Sequence, residues 1–121
     1  MRFKTMMDGF SVALIGSLLS TAVLAADVVE FRIKPGTGNK PWNTRETAVE
    51  LKVGQILKII NEDSTPHQLH TSGSPCPHQP AKTLTGQAYE CLISKVVDPD
   101  ADIFYDHIAG SSARFYMRAT N

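Results

Sequence analysis

The chain has 121 residues, of which 42% are hydrophobic, and its 12 Lys and Arg balance 12 Asp and Glu. That length fits one small domain. The even charge, with no clustered Lys or Arg, excludes the basic surface that nucleic-acid binding requires.

The first residues read as a targeting segment. Arg2 and Lys4 supply early positive charge, Phe10 to Leu24 is apolar apart from small residues, and Val23-Leu24-Ala25 offers small or short side chains for cleavage. This is the three-part pattern of a secretory signal peptide over residues 1–25, with Ala26 as the alternative end. An apolar run of 15 residues falls short of the roughly 20 that a membrane-spanning helix needs. Export to the periplasm is expected, with secretion beyond it as the alternative, and no membrane attachment after cleavage. Removing Arg2, Lys4 and Asp8 leaves 10 Lys and Arg against 11 Asp and Glu in a domain of residues 26–121.

Period-two alternation then marks a series of strands. In Val29-Glu30-Phe31-Arg32-Ile33-Lys34 the apolar set is Val29, Phe31 and Ile33, and Pro35-Gly36 opens a loop that runs through Pro41. Val49, Leu51 and Val53 alternate with Glu50 and Lys52; after Gly54-Gln55, Ile56 to Ile60 reads as a more buried strand. Asn61 to Pro66 is a turn cluster, and His67 to Thr71 is a short strand. Ser72 to Gly86 is a long irregular stretch rich in Ser, Gly, Pro and Thr; ordered loops of this length tend to be functional or stapled. Strands follow at Ala88 to Ser94, Ile103 to Asp106 and Arg114 to Ala119, with no amphipathic helix between them. About seven short strands separated by turns predict an all-β Greek-key sandwich. The expected core is Val29, Phe31, Ile33, Val49, Leu51, Val53, Leu57, Ile59, Leu92, Phe115 and Met117.

Cys76 and Cys91 are the only cysteines. In an oxidising compartment an even pair is expected to form a disulfide. The alternative, in which a reduced Cys76 and His78 take Cu(I), stays open at this point.

Val49-Glu50-Leu51-Lys52-Val53-Gly54-Gln55, followed by Ile60-Asn61-Glu62-Asp63-Ser64-Thr65-Pro66-His67, resembles the plastocyanin and cupredoxin family. There a strand ends in Val-x-x-Gly, the next runs into Asn-x-Asp, and a Pro-His pair follows. The resemblance implies a copper site with His67 as first ligand and His107, on the closing loop, as second. The family places Cys, His and Met on that loop. This chain reads Phe104-Tyr105-Asp106-His107-Ile108-Ala109-Gly110-Ser111-Ser112, so Asp106 stands at the Cys position and Ser112 at the Met position. Without the thiolate that makes blue copper, the resemblance implies an atypical member.

All four histidines, His67, His70, His78 and His107, are candidate ligands, with Asp106 expected behind them to orient an imidazole. His67 and His70 are three apart, and on a regular strand they face opposite sides. Imidazole nitrogens without a thiolate suit Cu(II) first, by the Irving–Williams order, with zinc as the alternative. The expected function is a periplasmic, non-enzymatic copper-binding protein that sequesters or delivers the metal. Its partners would be the ion itself and a periplasmic copper-handling or redox protein. The alternatives are an electron-transfer cupredoxin and a metal-free interaction domain.

Overall fold

The computed structural model describes residues 27–121; the signal-peptide reading of residues 1–25 lies outside them. Eight strands follow in chain order: β1 (Val28–Ile33), β2 (Val49–Lys52), β3 (Ile56–Asn61), β4 (Leu69–His70), β5 (Ala88–Leu92), β6 (Phe104–Asp106), β7 (Gly110–Phe115) and β8 (Met117–Thr120). They form three hydrogen-bonded groups, ordered β1-β3-β5, β2-β8 and β4-β6-β7. β1 runs parallel to β3 and β2 parallel to β8, while the remaining pairs are antiparallel. Among the described residues no helix is long and apolar enough to cross a membrane.

The strand count exceeds seven because the expected Arg114 to Ala119 strand is two strands broken at Tyr116. Asn43 explains the break. Its Oδ1 accepts from the Tyr116 N–H at 2.8 Å and its Nδ2 donates to the Tyr116 carbonyl at 2.9 Å. A loop side chain thus takes the place of a neighbouring strand there, and β8 leaves to pair with β2.

Alternation sorts the side chains as expected over β1 and β3. Val29, Phe31, Ile33, Leu57 and Ile59 turn inward and meet Leu51, Leu69, Phe104, Phe115, Met117 and Ala119 from the other strands. Phe115 sits at the centre, its ring centroid 5.1 Å from that of Phe31 and 5.3 Å from that of Trp42. Trp42 comes from the loop before β2, which has no strand periodicity to reveal it.

Two expected core residues are surface residues. Leu92 is 56% exposed because Cys91 and Ile93, its immediate neighbours, are the buried ones, and adjacent residues on a strand face opposite ways. Val53 is 37% exposed because it lies one residue past the end of β2, where the chain turns through Gly54.

Candidate metal centre

Strand parity separates the histidines before any ligand is considered. His67 and Leu69 point into the core, whereas Gln68 and His70 are only half buried on the opposite side. His70 pairs with Tyr105 across β4 and β6, and its ring stacks on Tyr105 with centroids 4.3 Å apart and planes 20° apart. His107 follows β6 directly. Its N–H donates to the Gln68 carbonyl at 2.7 Å, which brings it beside His70. The hairpin then closes through Gly110, whose φ of +101° lies in the left-handed region that side chains disfavour. His78 arrives from the long loop between β4 and β5.

These three rings converge. His70 Nδ1 lies 2.9 Å from His78 Nε2 and 3.4 Å from His107 Nδ1, and one nitrogen from each ring falls within 4.8 Å of the others. Two nitrogens bound at about 2.0–2.1 Å to one ion stand about 2.9 Å apart at a right angle and about 3.4 Å apart at the tetrahedral angle. The observed spacing therefore fits a common metal ion. Burial, then the neighbouring His78 and His107, push the His70 pKa below its ordinary value, which favours the neutral ring over the imidazolium. His78 Nδ1 lies 3.0 Å from the Gln79 carbonyl, which only accepts. The proton therefore sits on Nδ1, and Nε2 carries the lone pair that faces the other two rings.

His67 stands apart from this group. It is 1% exposed, with its Nδ1 on Asp106 Oδ2 and its Nε2 2.8 Å from Asp63 Oδ2. Both ring nitrogens are thus taken up by carboxyl groups of the chain, and neither is presented to an ion. Asp63 also accepts from the Gly36 and Gly38 N–H groups and from the Thr65 hydroxyl. Burial by itself would raise the Asp63 pKa, but the His67, Thr65 and backbone hydrogen bonds outweigh it and hold the carboxyl well below the ordinary range. Asp106 Oδ1 accepts from the Ile108 and Gln68 N–H groups. It braces the hairpin that bears His107 while orienting the imidazole of His67, not one of the three clustered rings.

The cysteines are joined as Cys76–Cys91, Cα atoms 5.6 Å apart, and no free cysteine is found among the described residues. The disulfide expectation holds, and the reduced Cys76–His78 alternative is set aside in this structure. Met117 is buried in the core on β8. Sequence reasoning missed the Gln79 carbonyl and the Tyr105 ring as supports of the site. The cross-strand pairing of His70 with Tyr105 depends on register, which the sequence did not specify.

No protein-family model matches the chain, and no curated protein matches it either. Solved structures do. A Cu(I) amicyanin mutant is 14% identical over 76% of this chain and 81% of its own, with a TM-score of 0.53. An oxidized amicyanin mutant is 16% identical over 83% and 87%, with a TM-score of 0.53. A purple cupredoxin from Nitrosopumilus maritimus is 14% identical over 75% and 98%, with a TM-score of 0.54. With the eight strands among the described residues, these likenesses show that the chain has a cupredoxin fold, a β-sandwich.

Proposed function

We propose that this protein is an exported copper-binding protein that sequesters or delivers copper, held by His70, His78 and His107. The observation that carries the reading is the convergence of three imidazole nitrogens within 4.8 Å of one another. Copper is favoured because imidazole donors bind Cu(II) most strongly in the divalent series, and because solved proteins of the same fold include a Cu(I) amicyanin. The three rings would bind the ion, Tyr105 would hold the plane of His70, and the Gln79 carbonyl would fix the direction of His78. Zinc is the competitor at such a donor set.

The reading differs from that of an electron carrier in its donors. Both cysteines are in the disulfide, so no thiolate joins the imidazoles to give the blue chromophore. The ion is cargo in this account, the protein is a binding protein rather than an enzyme, and its partner is a copper-handling protein of the periplasm. The family-derived positions of His67 and Asp106 carry a buried brace instead of ligands.

The test is a Cu(II) titration followed by visible and electron paramagnetic resonance spectra. A saturable one-to-one complex of pale colour with nitrogen hyperfine structure, weakened by His78→Ala and by His107→Ala, is the expected result. An intense charge-transfer band, or binding indifferent to both substitutions, would overturn the reading.

A further inference from the structure

Resting on the copper reading above, we infer that Gln79 is the positioning residue of this centre: its buried side chain clamps the long loop onto β4 and thereby fixes the tautomer and direction of His78. His78 lies in an irregular stretch, so no strand ladder aims it. Gln79 supplies a substitute for one. Its side-chain Oε1 accepts from the Leu69 N–H at 2.9 Å, while its own N–H donates to the Leu69 carbonyl at 3.3 Å. Gln79 therefore occupies both backbone groups of the residue beside His70. Its Nε2 donates to the Ala81 carbonyl and to the Thr83 hydroxyl, each at 2.6 Å, which satisfies both amide hydrogens.

With side chain and N–H committed, the Gln79 carbonyl is held in one direction. It accepts from Gln68 Nε2 at 2.7 Å and from His78 Nδ1 at 3.0 Å. The second of these bonds puts the His78 proton on Nδ1 and presents Nε2 to His70 and His107. Gln79 is 5% exposed, so leaving its partners unpaired is costly. The Cys76–Cys91 bridge holds the same loop two residues before His78, but it makes no bond to the ring and does not select the tautomer. Partners that orient a metal-ligating imidazole typically change metal affinity by about 10–100-fold when removed.

The experiment joins a metal-free readout to an affinity cycle. Imidazole 15N spectra of the metal-free protein at neutral pH are compared with those of Gln79→Ala, and Cu(II) affinity is measured for Gln79→Ala, His78→Ala and the double variant. The expected result is a His78 ring held as the Nδ1–H tautomer in the unsubstituted protein and averaged between tautomers in Gln79→Ala. With it come a loss of copper affinity of tenfold or more in the unsubstituted background and a further loss below twofold in the His78→Ala background. An unchanged tautomer in Gln79→Ala, or an equal loss in both backgrounds, overturns the inference while leaving the copper reading in place. If Gln79→Ala does not fold, Gln79→Glu takes its place: it keeps the acceptor for Leu69 and loses the donors to Ala81 and Thr83. The same two criteria apply to it. Should the unsubstituted protein bind no copper, the copper reading fails, and the tautomer comparison still decides the role of Gln79.

Discussion

Asp106→Asn separates a structural role from a metal-binding role at the position where the family resemblance puts a copper ligand. Asp106 is fully buried and accepts from His67 Nδ1 and from the Gln68 and Ile108 N–H groups. The two backbone donors are only partly buried, so water can replace the carboxylate there; the His67 bond is wholly buried and sets the magnitude. An Asn there must turn its amide NH2 toward either His67 Nδ1 or the two backbone N–H groups, and a buried donor left without an acceptor costs about 1–3 kcal/mol, while Asp63 still faces His67 Nε2. Against a typical total of about 5–15 kcal/mol for a domain, that is a large fraction. At about 4–8 °C per kcal/mol for a domain of this size, the melting temperature should fall by about 4 °C or more. Urea unfolding at pH 7, with the slope checked for two-state behaviour, measures the loss. Adding His67→Gln to Asp106→Asn should cost less than the sum of the single changes, with a coupling of about 1 kcal/mol or more. A loss below about 1 kcal/mol, or a large drop in copper affinity with unfolding unchanged, would refute the brace and return His67 and Asp106 to the metal.

Three further outcomes are expected. Phe115→Ala should cost about 3–5 kcal/mol in urea unfolding, since Phe115 joins Phe31 and Trp42 at the centre of the core, whereas Leu92→Ala on the surface should stay within about 0.5 kcal/mol. Asp63 is held below its ordinary pKa in the folded chain, so the folded state binds fewer protons in acid. Its contribution should be full above about pH 4 and be lost as pH falls further, seen as a falling urea midpoint between about pH 4 and pH 2. Replacing both Cys76 and Cys91 by Ser should cost about 3 kcal/mol for a bridge of sequence separation 15, while the copper complex keeps its pale colour; a change in the visible spectrum would count against the histidine-only donor set.

The legible part of this fold was the part governed by alternation. Val29, Phe31 and Ile33, and then Leu57 and Ile59, carry the period-two pattern that places them inside. Leu92 was misread because a strand pattern of Tyr89, Cys91 and Ile93 competes with it, and hydrophobicity alone does not choose the parity. Trp42 and Asn43 act from a loop, through partners some 70 residues away such as Phe115 and Tyr116, which no local pattern announces.

At the site, parity did separate His67 from His70, and all three clustered histidines were among the candidates. The sequence did not show which side of the strand held the cluster. That choice rests on Asp63 and Asp106, which meet His67 from residues 4 and 39 positions away and consume both of its nitrogens. Gln79 was invisible for a similar reason: a glutamine in a loop shows its role only when its four side-chain and backbone bonds to Leu69, Ala81 and Thr83 are seen together.

The most direct test of the central claim is the imidazole 15N spectrum of the protein with and without one equivalent of diamagnetic Cu(I). Metal-induced shifts are expected at His70 Nδ1, His78 Nε2 and His107 Nδ1, with both ring nitrogens of His67 unmoved. Shifts at His67, or none at His78, would contradict it.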